Sequence, residues 1–119
     1  MREEMKVVIS ATGDNLSADV DRRFGRCPWF LFVDTESLKC EAVVNESADA
    51  ASGAGTACAQ LALEKEVDAV ISGQVGPNAY EVLKQGGVKI FIVPQDISVR
   101  EAIDRFKNNE LKQMEMRVF

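Results

Sequence analysis

Apolar residues recur along the chain in short runs that alternate with polar, glycine-bearing loops. The first run, MKVVISA, is rich in β-branched residues and predicts a buried strand over Met5 to Ala11. The aromatic run WFLFVDT predicts a second strand over Trp29 to Thr35. In LKCEAVVN, Leu38 to Asn45, apolar and polar residues alternate with the period of a half-buried strand, which places Cys40 among the core residues. Because few residues separate the second and third runs, we expect them to form a hairpin.

The second half of the chain alternates segments that favour helices and strands. TACAQLALEKE has the composition of a helix, and VDAVISG and VKIFIVP predict a fourth and a fifth strand. GPNAYEVLKQGG predicts a helix with Pro77 in its first turn and glycine just past its end. SVREAIDRFKNN predicts a third helix that opens on a capping box formed by Ser98 and Glu101. Residues after Glu110 fit either a short extra strand or a tail.

The order of these elements, β-β-β-α-β-α-β-α, indicates one layered α/β domain over residues 1–119, with a core over about 5–107 and a tail over 108–119. If the first strand runs up, the hairpin connections send the second strand down and the third up. Right-handed helical crossovers then keep the fourth and fifth strands parallel to the first. The loops after strands one, three and four therefore meet at one sheet edge, where open α/β sheets bind ligands.

Two glycine-rich loops and a cluster of arginines converge at this edge. SGAGTA and GQVGPNA each lead into a helix, so glycine lets the backbone come close to a ligand and unpaired N–H groups face it. RRFGRCPWF adds local positive charge. Taken singly, each motif also has a structural explanation, as a steric turn, a helix start or a solvated charged face. Together they predict an anion site, formed by Arg23, Arg26, Gly53, Gly55, Gly76 and Asn78.

Composition restricts the classes of function. With 19 acidic against 14 basic residues and a net charge of -5, the chain lacks the basic character typical of nucleic-acid and membrane-surface binding. No apolar run approaches the roughly 18 residues of a membrane span, and the first residues lack the apolar segment of a signal peptide. No histidine is present, and we find no strained nucleophile elbow, P-loop or central carboxylate cluster. We therefore expect a cytoplasmic protein that is not an enzyme.

The three cysteines form no C-x-x-C pair, so reduced thiols are expected. Cys27 lies in the edge loop, and Cys58 is predicted on the first turn of a helix, where the helix dipole lowers the pKa of a thiol. These two cysteines are the candidate metal ligands, although isolated cysteines are more often structural.

Four segments, RRFGRCPWFLFVD, SGAGTACAQ, VDAVISGQVGPNAYEVL and GGVKIF, occur in an order and spacing that resemble the dinitrogenase iron-molybdenum-cofactor biosynthesis family, which includes NifX-like proteins and the C-terminal domain of NifB. The resemblance implies a ribonuclease H-like three-layer fold with a mixed five-stranded sheet of order 3-2-1-4-5, in which strand two is antiparallel. It also implies a non-enzymatic carrier of an iron–sulfur or iron–molybdenum-type cluster that exchanges its cargo with cluster-assembly proteins.

Members linked to nitrogenase often carry a histidine or cysteine proposed to hold the cluster. Since this chain has no histidine, Cys27 and Cys58 are the candidates to replace it, and arginines with backbone N–H groups are the other candidate donors. The alternative hypothesis is a regulatory protein that binds a small anionic metabolite or a nucleotide at the same edge without a metal cluster. A degenerate nuclease is the least favoured hypothesis, because the carboxylates for two metal ions are missing.

Overall fold

The computed structural model describes residues 5–48, 53–94 and 96–115. Within these ranges the chain forms six strands and three helices. In chain order the elements are β1 (Lys6–Ala11), β2 (Trp29–Asp34), β3 (Cys40–Val44), α1 (Ala54–Glu64), β4 (Ala69–Ser72), α2 (Pro77–Gln85), β5 (Lys89–Ile92), α3 (Val99–Lys107) and β6 (Lys112–Gln113). No helix in these ranges is both long and apolar enough to cross a lipid bilayer.

All strands belong to one mixed sheet of order β3-β2-β1-β4-β5-β6. β2 is antiparallel to both β1 and β3, whereas β4 and β5 run parallel to β1. This confirms the α/β class and the expected order of the first five strands. The loops that follow β1, β3 and β4 therefore lie at the same edge of the sheet.

The sheet has a sixth strand, so the expected number of five strands is corrected. α3 ends near Asn109, whose φ of 58° reverses the chain direction, as expected for a terminal asparagine. The chain then runs back along β5, where β6 pairs antiparallel and the Met114 N–H donates to the Ile90 carbonyl at 2.7 Å. The part of the predicted tail after residue 115 lies outside the described residues.

The sheet is packed on both faces, because side chains of its central strands alternate between two apolar cores. On β1, Val8 faces the core shared with α1 and α2, whereas Val7 and Ile9 face the core shared with α3. Both faces of β4 are buried as well. The fold is thus a three-layer arrangement in which α1 and α2 lie side by side on one face.

β3 is an edge strand, and the expectation that Cys40 belongs to the core was wrong. Cys40 pairs in register with Val33, on the sheet face that α3 covers, but Cys40 itself is exposed and Val44 is 52% exposed. Among the described residues, none of β3 joins the core on that face. The alternation of LKCEAVVN therefore identified a strand correctly, but its more buried face carries Val43 instead.

Candidate anion-binding site

A cavity of about 200 Å³ opens at the sheet edge where α1 and α2 begin. Four of the six predicted anion-site residues lie in its wall, namely Gly53, Gly55, Gly76 and Asn78. The rest of the wall consists of Phe24, Gly25, Thr56, Pro77 and Ala79. None of these nine described wall residues carries an ionisable side chain.

The N-terminus of α1 presents backbone N–H groups to the cavity. Gly53 is the N-cap residue with a φ of 77°, a left-handed conformation that favours glycine. It supplies no side-chain acceptor, and the first helical hydrogen bond runs from the Ala57 N–H to the Gly53 carbonyl at 3.0 Å. Within the described part of the chain, the N–H groups of Gly55 and Thr56 therefore have no hydrogen-bond acceptor.

α2 begins in the same way on the other side of the cavity. Its N-cap, Gly76, also supplies no side-chain acceptor, and the first helical bond is from the Tyr80 N–H to the Gly76 carbonyl at 2.9 Å. Pro77 has no N–H group, so Asn78 provides the first backbone donor and a side-chain amide in addition. Two helix N-termini, each with positive partial charge, thus meet at one cavity.

The third wall is the loop between β1 and β2, which approaches α1 through a contact between two glycine backbones. A Cβ atom on Gly25 would lie 2.9 Å from the nitrogen and 3.0 Å from the Cα atom of Gly55. Gly73, at the end of β4, makes a similar contact with the same loop outside the cavity wall, because a Cβ atom there would lie 2.6 Å from the Cα atom of Arg22. Glycine at these positions lets the three loops pack closely enough to enclose the cavity.

The two predicted arginines lie beside the cavity and are absent from its wall. The Arg23 side chain is 65% exposed, with its Nε atom 3.8 Å from an Asp21 carboxylate oxygen. The Arg26 Nη1 atom donates to the Ala48 carbonyl at 2.9 Å, which ties the β1–β2 loop to the turn after β3. Both arginines thus add positive charge near the cavity, and solvent screens the charge of Arg23. Arg26 in addition holds two loops together through its bond to Ala48.

Cys27 and Cys58 are both buried, and neither lines the cavity. The Cys27 thiol donates to the Phe24 carbonyl at 3.2 Å, and burial raises its pKa to about 12. Cys58 lies on the second turn of α1 and not on the first, and burial raises its pKa to about 11. The expectation of a lowered pKa is therefore corrected: loss of hydration is the largest influence on this thiol and outweighs the hydrogen bond to Asn45 and the charge of Arg26, which both lower its pKa.

No group of three or more cysteine, histidine, aspartate or glutamate side chains is placed to hold a metal ion in the described ranges. Cys58 instead lines a separate depression of about 330 Å³ between β3 and α1. Other depressions, of about 310 and 360 Å³, lie near Lys84 and Lys39 and contain charges of both signs. They are larger than the cavity between the helices, but none has two helix N-termini in its wall.

Asn45 is a buried residue beside the cavity that sequence reasoning missed. It is only 7% exposed, and its Nδ2 atom donates to the carbonyls of Gly25 at 3.1 Å and Cys27 at 2.8 Å. Its Oδ1 atom accepts from the Ser47 N–H at 2.9 Å and lies 3.5 Å from the Cys58 Sγ atom. The available signal was a single asparagine between an apolar strand and a loop of small residues.

Comparison with known proteins supports the expected family. Residues 5–109 match the model of a family described as dinitrogenase iron-molybdenum cofactor. An uncharacterised protein of Methanocaldococcus jannaschii is 31% identical over 114 residues, which cover 93% of this chain and 92% of that protein.

Solved structures show the same fold. The apo form of the orange protein from Desulfovibrio gigas superposes with a TM-score of 0.88 at 29% identity, covering 96% of each chain. A Thermotoga protein provisionally assigned as NifB superposes with a TM-score of 0.80 at 38% identity, covering 95% of this chain and 97% of that one.

Proposed function

The chain belongs to the dinitrogenase iron-molybdenum cofactor family, and from this membership we propose that it is a non-enzymatic carrier whose cargo is an anionic iron–sulfur or iron–molybdenum-type cluster. The cargo binds in the cavity between the N-termini of α1 and α2 and is exchanged with cluster-assembly proteins. We place the protein in the cytoplasm, where the three free cysteines stay reduced.

The convergence of two helix N-termini on one cavity is the observation that carries this proposal. Each N-terminus contributes roughly half a positive charge, and its N–H groups are strong donors to an anion. Among the described residues, none that lines the cavity carries a carboxylate, although the whole chain has a net charge of -5. An anionic cluster that presents sulfur or oxygen atoms can therefore accept several hydrogen bonds there at once.

The size of the cavity favours a compact ligand. Its volume of about 200 Å³ is smaller than the roughly 300 to 1,000 Å³ that is typical of sites for drug-sized molecules. A nucleotide would extend beyond the walls into solvent, whereas a small cluster or a single oxyanion would remain between the helix N-termini.

The chemistry of the two buried thiols limits their part in this proposal. A thiolate, not a thiol, is the metal ligand, and burial makes both thiols harder to deprotonate than an ordinary cysteine because it raises each pKa. We therefore assign the main hydrogen bonds to the cargo to the backbone of Gly55 and to Asn78. Direct ligation by Cys27 and Cys58 stays a prediction, and it requires that metal binding displace both protons.

Anaerobic titration of the purified protein tests this function. The test ligands are tetrathiomolybdate, a compact molybdenum–sulfur dianion, and iron with sulfide for reconstitution, both followed by visible absorption and metal analysis. We expect stoichiometric binding by the wild type and by the double variant Cys27→Ser with Cys58→Ser. Loss of binding only in the double variant would instead support cysteine ligation, and no binding of either ligand by the wild type would refute the carrier function.

The alternative, a regulatory protein for a small anionic metabolite, is favoured by one observation: no sulfur atom belongs to the residues that the structure describes in the cavity wall. Competition with inorganic phosphate separates the two functions. A carrier should retain tetrathiomolybdate in millimolar phosphate, whereas a site for an oxyanion metabolite should exchange it for phosphate.

A further inference from the structure

We propose that Asn45 is the positioning residue that sets the width of the anion cavity, an inference that rests on the proposed function of this site. Asn45 does not line the cavity. It lies at the end of β3, where the chain enters the loop that leads to α1. From this position its buried side chain hydrogen-bonds to the β1–β2 loop and to α1, which form two of the three walls of the cavity.

The Asn45 amide uses its full hydrogen-bonding capacity. The two Nδ2 protons go to the carbonyls of Gly25 and Cys27, and the Oδ1 atom accepts from the Ser47 N–H and the Cys58 thiol. A side-chain amide has two donor protons and two acceptor lone pairs, so none is left for solvent. Aspartate has nearly the same shape but, when ionised, cannot donate to either carbonyl.

Through these bonds Asn45 holds Gly25 against the start of α1. The Gly25 carbonyl is 3.1 Å from the amide nitrogen, and the Gly25 backbone lies so close to Gly55 that a Cβ atom would overlap it. The bond to Cys58 connects the same amide to α1, about one turn beyond Gly55. Loss of the amide donors therefore lets the Gly25 wall separate from α1, which widens the cavity and removes an anion from the Gly55 N–H.

Replacement of Asn45 by aspartate tests this role. The Kd for tetrathiomolybdate is measured for the variant and for the wild-type protein. We expect at least a tenfold rise in Kd, because two carbonyls lose their donor, the wall moves and the new carboxylate repels the anion. High salt screens the contribution of the charge but not that of the wall. The matched control is Ile103→Val, which destabilises the core under α3, on the opposite sheet face, and leaves Kd within twofold. Asn45→Ser is the uncharged and milder variant, since one hydroxyl proton replaces two amide protons. We expect it to raise Kd by an intermediate factor that salt does not change, and this result does not depend on whether Asn45→Asp folds.

A double-mutant cycle with Gly25→Ala distinguishes positioning from a general structural role. Gly25→Ala separates the same two backbones from the opposite side, so the loss of affinity in the double variant should be no larger than the greater single loss. Additive losses, or an Asn45→Asp variant with wild-type affinity, would overturn the proposal while leaving the proposed function intact.

A measurement without ligand tests the positioning role of Asn45 independently of the carrier function. In wild-type protein we expect a strong nuclear Overhauser contact between a Gly25 Hα and the Gly55 N–H, and in Asn45→Asp we expect that contact to weaken. If the wild type binds no anion, the carrier function fails. The Overhauser contact then decides by itself whether Asn45 holds the two walls together, and an unchanged contact would refute the positioning role.

Discussion

Replacing Gly76 with aspartate should raise the stability of the protein and weaken anion binding. Gly76 is the N-cap of α2, with φ of -72° and ψ of 168°, a conformation open to any residue. It lines the cavity, and a Cβ atom there would meet nothing within 4 Å. Aspartate is a better N-cap than glycine by a few tenths of a kcal/mol, so α2 gains a cap while the cavity gains a negative charge.

The size of the effect on binding follows from the size of the cavity. A sphere of about 200 Å³ has a radius of about 3.6 Å, which puts a carboxylate in its wall roughly 5 Å from the centre of a bound anion. At that separation two unit charges repel by about 1 kcal/mol in a water-like dielectric and about 3 kcal/mol at an effective dielectric of 20. We therefore expect Kd to rise between about fivefold and more than a hundredfold per unit of anion charge.

Gly76→Asn is the matched control, because asparagine caps a helix as well as aspartate and has nearly the same volume without the charge. Tetrathiomolybdate titrations of the two variants at low and high ionic strength, with urea unfolding of each, measure both effects. The difference in Kd between the Gly76→Asp and Gly76→Asn variants should shrink as salt screens the charge. Equal affinity of the two variants at low salt would show that the cavity is not the anion site.

Two further predictions concern packing and titration. Gly73→Ala should lower the free energy of unfolding by about 1 to 3 kcal/mol, because its Cβ atom would overlap the backbone of the β1–β2 loop. Gly76→Ala is the control, since a Cβ atom at that position meets open space. Urea unfolding of the two variants should show the loss of stability in Gly73→Ala alone. Because burial raises the pKa of Cys27 from 9.0 to about 12, this thiol has no effect on the pH dependence of stability below about pH 9. Above that pH the unfolded chain binds fewer protons, so stability falls until about pH 12, by about 1 kcal/mol at pH 10. Cys58 adds a loss of its own over the same pH range, because burial raises its pKa to about 11. Urea unfolding of reduced protein at pH 8 and pH 10 should therefore show a smaller loss of stability in Cys27→Ala than in the wild type, and an equal loss in the two proteins would contradict the prediction.

Local patterns in the sequence were sufficient to predict most of the elements and to bring four of the six candidate residues to one cavity. Apolar runs identified β1 and the other long strands, and Pro77 and Ser98 marked helix starts, because backbone preferences and capping act over a few residues. The Ser98 hydroxyl does accept from the Glu101 N–H at 3.1 Å. The handedness of crossovers then brought the glycine loops to one edge, which explains why four cavity residues were predicted in advance.

Side-chain burial and partners required the tertiary structure, because they depend on residues that are distant in the chain. Cys40 has the alternation of a core residue, but β3 lies at the sheet edge and α3 does not cover it. The pKa of Cys58 is set by the packing around it more than by its place on a helix. Asn45 connects to Gly25 across 20 residues, so no local pattern could indicate that contact. Periodicity and capping are short-range properties of a chain, whereas hydration and hydrogen-bond partners are settled only when the layers pack.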